Sequence, residues 1–370
     1  MKLFAPQALR ELALPNRIVI SPMCQYSASD GCATDWHLVH WGQLLQSGAG
    51  LLLIEATAVS AVGRITPGCL GLWDAATERA LADRLGRARA LAPSMAVGIQ
   101  LAHAGRKGSS RRPWDGGSLI EPAQGGWVPE APSALPHAPG EAAPRALDRV
   151  GLERVRDQFA AAARRAAAIG IDAAEVHMAH GYLLHQFLSP LANRRDDEYG
   201  GSLEGRLRFP LEVFAAVRAA WPAARPLGVR VSATDWVDGG WTLDETIELA
   251  RRLQAQGCDW IDVSSGGVSP LQRIAAGPGY QVPFARAVRA ATGLATIAVG
   301  AITEPQQAEA IVAAGDADLV AMARAFLWNP RWPWHAAAAL GGAVAGPVQY
   351  ARGLPKGAAA VFGDLKLGQR

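Results

Sequence analysis

The stretch EVHMAHGYLLHQF, residues 175–187, holds three of the chain's eight histidines and one of its five tyrosines. Imidazoles at this density serve as metal ligands or as hydrogen-bond donors and proton carriers. A zinc or two-metal site needs three or more convergent ligands, and Glu175, His177 and His180 supply only part of such a set. The alternative is a pair of hydrogen-bond donors facing an organic cofactor. His185, three residues after Tyr182, is expected to pack or cap a short helix rather than to react.

These residues must be held by a scaffold, and the chain supplies one repeatedly. Short β-rich runs, NRIVISPM, LLLIEAT, MAVGIQLAHAG, IDAAEVHMAHG, PLGVRVSATD, DWIDVSSGG, ATIAVGAI and DLVAMARAF, are each followed by a helical pattern. In LERVRDQFAAAARRAAAIG, residues Val155, Phe159, Ala162, Ala166 and Ile169 share one stripe at helical spacing. Strands alternating with helices imply a parallel sheet, and eight such units predict a single α/β domain, a (β/α)₈ barrel over residues 1–340. No G-x-G-x-x-G turn follows an early strand, which argues against a doubly wound dinucleotide fold. Residues 105–148, rich in Pro, Gly and Ser, form an insertion after the third strand, expected to act as a lid. Residues 341–370, rich in Gly, Ala and Pro, are expected to be an arm against the surface or a partner.

Composition narrows the partners. The formal net charge is +3, with 36 basic and 33 acidic residues scattered along the chain, so no nucleic-acid face is expected. No apolar run is long enough to span a bilayer, and MKLFAPQALRELALPNR lacks the apolar core of a signal peptide. The four cysteines show no C-x-x-C pair, which fits a reduced cytoplasmic setting. Cys32, Cys69 and Cys258 are expected to be ordinary small apolar residues, and Cys24 a neutral thiol.

In a barrel the chemistry lies at the C-terminal strand ends. These carry no lysine, which removes Schiff-base and pyridoxal chemistry. The first ends in Ser-Pro-Met-Cys without H-x-H, and the fifth and sixth offer Arg230 and serines, so no metal centre is expected. A phosphate-bearing cofactor fits better. Gly300 and Arg324 stand after strands seven and eight, where barrels often hold phosphate, beside the flexible SSGG turn with Gly266 and Gly267. Gln100 can bond the amide edge of a ring, and Arg230 can face a ring that becomes anionic on reduction. That combination describes flavin mononucleotide (FMN). Arg106 and Lys107 are expected either to meet phosphates of a nicotinamide cofactor or to be solvated. Trp114 and Trp127 are expected over the substrate, and His37 and His40 to be structural.

At this point the chain resembles the Old Yellow Enzyme family of flavin-dependent ene-reductases over roughly residues 1–352, in its thermophilic-like and xenobiotic-reductase branch. The motifs are NRIVISPMCQYS, IEATAVSAVGRIT, GIQLAHAGRK, AAEVHMAHGYLLHQFLSPLANRRDDEYGGSLEGRLRF, VRVSATDW and PVQYARG. The resemblance implies reduction of FMN by NADPH or NADH, then hydride transfer to the β-carbon of an α,β-unsaturated carbonyl compound. It implies that His177 and His180 bind the substrate's carbonyl oxygen and that Tyr182 donates the proton. Cys24 and Tyr26 would line the pocket, and Ser21, Pro22, Met23, Cys24, Ala56, Gln100, His177, Arg230, Gly266, Gly267, Gly300, Ala323 and Arg324 would hold FMN. A homodimer or homotetramer is implied, with Arg352 reaching a neighbouring subunit's site. The chain departs from the family in having Ala323 where glycine is usual and in continuing past Arg352. Two other readings of the same residues are a metal-dependent barrel hydrolase and a flavin-binding redox sensor with little turnover.

Overall fold

The computed structural model describes residues 1–92 and 95–363. Its centre is a closed barrel of eight parallel strands that follow one another in chain order. They are Ile18–Ile20, Leu51–Ala58, Ala96–Ala102, Ala173–Met178, Leu227–Ser232, Trp260–Ser264, Ala295–Val299 and Leu319–Met322. Each of the eight runs found in the sequence forms one of them.

The two-residue period of a strand separates two kinds of surface. Outward residues such as Leu52, Ile54, Val97, Ile99, Val176, Val229 and Val263 pack under the surrounding helices. Inward residues near the strand starts (Val19, Leu51, Leu53, Ala173, Trp260, Ile297, Leu319) fill the barrel floor. Further along the same strands, the inward positions turn polar, to Gln100, Glu175, His177, Arg230, Asp262 and Ser264, all of them buried. The barrel is thus apolar at its base and charged toward the end where chemistry is expected.

Register fixes who meets whom. Gln100 pairs with Glu175 across strands three and four, His177 with Arg230 across four and five, and Arg230 with Asp262 across five and six. A one-residue slip would turn these side chains out into the helix layer.

The helices are stopped and started by local chemistry. Helix Arg149–Ala168 begins at Asp148, whose carboxylate accepts from Gly151 N, and buries Val155, Phe159, Ala162 and Ala166 as the stripe predicts. Helix Leu243–Ala255 has a reciprocal box: Thr242 accepts from Glu245 N, and Glu245 accepts from Thr242 N.

Two regions go beyond the expected plan. An antiparallel hairpin, Gln7–Leu9 with Leu12–Leu14, closes the base of the barrel by adding Leu9 and Leu14 to its floor. Residues 105–148 are tied down at several points. Glu130 is buried, lies 2.6 Å from Arg154, and also meets Arg145 and His103. Burial would raise its pKa, but these partners hold it at about 2. Ser109 Oγ donates to Ile120 O at 2.8 Å and accepts from Trp127 N at 2.9 Å. After Leu340 the chain folds back on itself. Val344 and Val361 cluster with Trp334, whose ring centroid lies 4.8 Å from that of Phe362. The arm expected over 341–370 therefore lies on its own barrel through residue 363, and its end lies outside the described residues.

Candidate active site

His177 is the last inward residue of the fourth strand, and the backbone turns sharply after it. His180 has a φ of +59° and Gly181 of +73°, the left-handed region that a non-glycine residue rarely adopts. A Cβ on Gly181 would stand 2.1 Å from Gly267 O, and one on Gly267 2.5 Å from His180 C. Two glycine-bearing loops, after strands four and six, therefore press against each other and hold His180 in place. Ser232 Oγ accepts from His180 N at 2.9 Å and donates to Gly266 O at 2.8 Å. Gly266 and Gly267, expected to face the cofactor, are thus placed as support for the histidine turn.

The outcome is a pair of converging nitrogens. His177 Nδ1 accepts from Ala179 N at 3.1 Å, which leaves the proton on Nε2. That Nε2 lies 3.4 Å from His180 Nδ1. On the far side, His180 Nε2 sits 2.8 Å from Ser264 Oγ. When the Ser264 hydroxyl donates to Nε2, the His180 proton moves to Nδ1 and both rings offer an N–H to one oxygen. Burial, then the nearby Arg230 charge, holds both imidazoles well below the usual histidine range, so they are neutral. The Tyr182 ring stands edge-on to His177 with centroids 5.0 Å apart. Burial raises its pKa well above the ordinary phenol value, so it keeps its proton at neutral pH.

Below this triad lies a charged layer. Glu175 accepts from Gln100 Nε2 at 2.8 Å and from Trp260 Nε1 at 3.2 Å. Arg230 Nε lies 3.5 Å from Asp262 Oδ2, and the guanidinium charge also acts on Glu175. Burial pushes Glu175 and Asp262 upward, against the pull of Arg230.

His185 stabilises the turn, as its expected capping role implies. Its Nδ1 accepts from Gly181 N, and its Nε2 lies 2.9 Å from Asp235 Oδ1. His37 behaves similarly: its Nδ1 accepts from Thr34 N, and its Nε2 lies 3.3 Å from Glu55, which accepts from Gln25 N. That chain of contacts fixes the Cys24–Tyr26 segment.

Several expectations need correction. Arg106 is buried and donates to Val268 O at 2.7 Å, and Lys107 Nζ donates to His180 O at 2.9 Å and Gly267 O at 3.1 Å. Arg106 is thus not solvated, and the ammonium of Lys107, itself only partly buried, is taken up by the two carbonyls rather than offered to a phosphate. Cys69 is no idle apolar residue: its Sγ accepts from Thr66 N at 3.3 Å and lies beside Thr66 Oγ1 at 3.6 Å. The neighbouring Cys69, then burial, raises the Cys24 pKa well above the ordinary thiol value, so Cys24 stays protonated. Ala323 adopts φ −106°, which a Cβ tolerates, so the missing glycine costs nothing there. Trp114 meets the Tyr26 ring edge-on at 5.7 Å, whereas Trp127 is tied to Val62 O at 3.0 Å. Ser264, Lys107 and Ser232 contact the histidine turn in ways that were not anticipated. The SSGG motif pointed to the first, and the scarcity of lysine (four in the chain) was the available signal for the second.

A cofactor fits above the charged layer. Ser21 Oγ and Arg230 Nε are buried without a hydrogen-bond partner. A cavity of about 550 Å³ lined by Gly300, Ala301, Thr303, Ala323 and Arg324 opens beside strands seven and eight. Gly300 has φ +113°, and a Cβ there would stand 2.5 Å from Gln281 Nε2. Among the described residues no three His, Cys, Asp or Glu side chains gather as a metal site.

Fold and site define a barrel oxidoreductase that works through a bound flavin. The family described as NADH:flavin oxidoreductase / NADH oxidase matches residues 2–341, and the chain belongs to it. It is 44% identical to the NADPH dehydrogenase of Geobacillus thermodenitrificans over 353 residues, covering 95% of this chain and 98% of that one. The NADPH dehydrogenase of Listeria monocytogenes serotype 4a is 43% identical over 356 residues, with the same coverage of 95% and 98%. Morphinone reductase in complex with tetrahydroNAD has a TM-score of 0.77 at 28% identity, covering 94% of this chain and 93% of that one. The old yellow enzyme homologue of Zymomonas mobilis has a TM-score of 0.74 at 25% identity, covering 90% and 91%. The chain is a flavin oxidoreductase using FMN with NAD(P)H as reductant. No described helix is long and apolar enough to cross a membrane.

The Asp235–His185 contact has a defined pH signature. Burial would raise the Asp235 pKa, but the adjacent His185 and hydrogen bonds from Ser189 and Trp241 N lower it overall. A depressed carboxyl stabilises the fold above its unfolded pKa of 3.8, and that contribution is lost as pH falls through the lower folded value. Asp235→Asn should therefore cost about 1–3 kcal/mol at neutral pH. Denaturant titrations should show the gap to wild type narrowing as pH falls below 3.8.

Proposed function

We propose that this flavin oxidoreductase is an ene-reductase for α,β-unsaturated carbonyl compounds, with His177, His180 and Tyr182 as its catalytic residues. The observation that carries this reading is the 3.4 Å approach of His177 Nε2 and His180 Nδ1, both neutral and both able to donate. An oxygen above that pair receives two N–H bonds at once. As hydride reaches the β-carbon, the carbonyl oxygen becomes enolate-like, and each preorganised donor stabilises that charge by about 3 kcal/mol. Bound FMN supplies that hydride, having been reduced by NADPH or NADH. Tyr182, still protonated, gives its proton to the α-carbon.

In this reading Gln100 and Arg230 hold the polar edge of the flavin ring, and Arg230 offsets the charge the ring gains on reduction. Ser21, Pro22, Met23 and Ala56 line the other edge, and Gly300, Ala323 and Arg324 hold the phosphate. Cys24 and Tyr26 wall the substrate space, with Trp114 behind Tyr26. The protonated thiol of Cys24 makes it a packing and potential-tuning group rather than a nucleophile.

The metal-hydrolase alternative is disfavoured by membership of the flavin family. A redox sensor with little turnover is separated by kinetics. Purified protein should be yellow, lose its colour with NADPH, and regain it with 2-cyclohexenone; a reduced form that no enone reoxidises contradicts the proposal. Tyr182→Phe should slow enone reoxidation by about 10²–10⁴-fold while leaving reduction by NADPH near normal. Equal loss in both half-reactions contradicts the assignment.

We also infer a homo-oligomer whose subunits share Arg352. Arg352 is exposed on the turn Val348–Gly353, whose Tyr350 lines a groove with Val39, Leu91 and Trp328, the last 91% exposed. An apolar surface of that kind is typical of an interaction site. Sedimentation equilibrium should give a dimer or tetramer, and a monomer at working concentrations contradicts the inference.

A further inference from the structure

Lys107 is a lysine in the wrong place for an ordinary one. It lies on the turn Gly105–Lys107 after the third strand, and its ammonium is turned inward to two backbone carbonyls, His180 O at 2.9 Å and Gly267 O at 3.1 Å. The same nitrogen stands 5.1 Å from the centroid of the Tyr182 ring. Around it are Arg106 on its own turn, His137 in the insertion, and His177, His180 and Tyr182 on the fourth-strand loop. No carboxylate is in that group, so the partly buried charge has carbonyl dipoles and an aromatic face where a counter-ion would normally stand. A loop clamp alone does not require a cation here, because Arg106 already ties the neighbouring Val268 O at 2.7 Å.

We propose that Lys107 is a positioning residue for the protonation step: it pins the carbonyls of the histidine turn and its partner loop, and its charge stabilises the phenolate that Tyr182 becomes. The inference rests on Tyr182 being the proton donor. In that step the Tyr182 O–H bond breaks, the enolate electron pair forms the α-carbon C–H bond, and the phenolate regains a proton from water. Neutral Tyr182 feels the cation weakly and its phenolate feels it strongly, so the effect is confined to the transition state and the product side.

The charge has a pH limit. Burial, with Arg106 adding to it, lowers the Lys107 pKa from 10.5 to about 8. The ammonium is present below that value and is lost as pH rises through it. Its benefit to Tyr182 must follow the same course.

The test uses the holoenzyme and stopped-flow measurement of both half-reactions on either side of pH 8. Enone reoxidation should fall as pH rises through about 8, and NADPH reduction should show no such break. Lys107→Arg, charged throughout, should keep most of the rate and lose the break. Lys107→Met should slow reoxidation by roughly 10- to 100-fold at neutral pH. In a Tyr182→Phe background the same change should cost little. A purely structural lysine would impair both half-reactions and keep its full effect without the phenol, which overturns the proposal. If Lys107→Met fails to fold, the profile of Lys107→Arg decides alone. A second readout needs no turnover. The chain has only four lysines, so ¹³C-labelled lysine spectra should show one resonance titrating near 8 that vanishes in Lys107→Arg. Four resonances that all titrate above about 10 overturn it. Wild-type protein that no enone reoxidises overturns the ene-reductase reading and this inference together. Wild-type protein that turns over with no break overturns this inference alone.

Discussion

Two imidazole nitrogens held 3.4 Å apart in one protonation state are the constraint around which the active end of this barrel is organised. Nitrogens that close, each able to carry a hydrogen, are comfortable only when one accepts from the other or when both donate to a third atom. The surroundings favour the second arrangement as soon as an oxygen arrives. The Ala179 amide leaves His177 with its proton on Nε2, and the Ser264 hydroxyl can place that of His180 on Nδ1. Preorganised donors of this sort act most strongly on charge that appears during the reaction, because they need no reorientation when it forms.

Neutrality is as important as position. An imidazolium at either place would bind an anion in the ground state and lose the difference that accelerates a reaction. Burial and the positive field of Arg230 prevent it, with Lys107 adding to that field. Positive charge at two sites around the histidines therefore does double service. It keeps the rings uncharged, and it stands ready to offset negative charge on a reduced flavin ring and on the phenol. The cost is a backbone in unusual geometry. His180 occupies the left-handed region without being glycine, and Gly181 and Gly267 supply the close contacts that make that conformation the one available.

Much of this was legible in the amino-acid sequence, and the reasons are physical. Barrel strands are short apolar runs ended by chemistry-bearing residues, and helices ended by Gly are marked at their borders, so eight units could be counted. His177, His180 and Tyr182 lie within six residues of one another and were visible as a motif. The floor hairpin was not, because strands of three residues are too short to show a period. Cys69, Lys107 and Ser264 were hidden for another reason. Lys107 meets His180 across 73 positions of chain and Gly267 across 160, and such contacts follow from loop geometry rather than local pattern. Gly267 shows the converse: its need for glycine was evident, but its cause is the neighbouring histidine turn.

The central claim is that the two neutral histidines together hold an oxygen that carries negative charge above the flavin. A para-substituted phenol, whose phenolate resembles an enolate in shape and charge, tests it directly when titrated into the oxidised holoprotein and followed by the visible spectrum. The account predicts tight binding by wild type and a loss of roughly 10²-fold or more for His177→Ala/His180→Ala with FMN still bound. Unchanged phenol affinity in that double variant would contradict it.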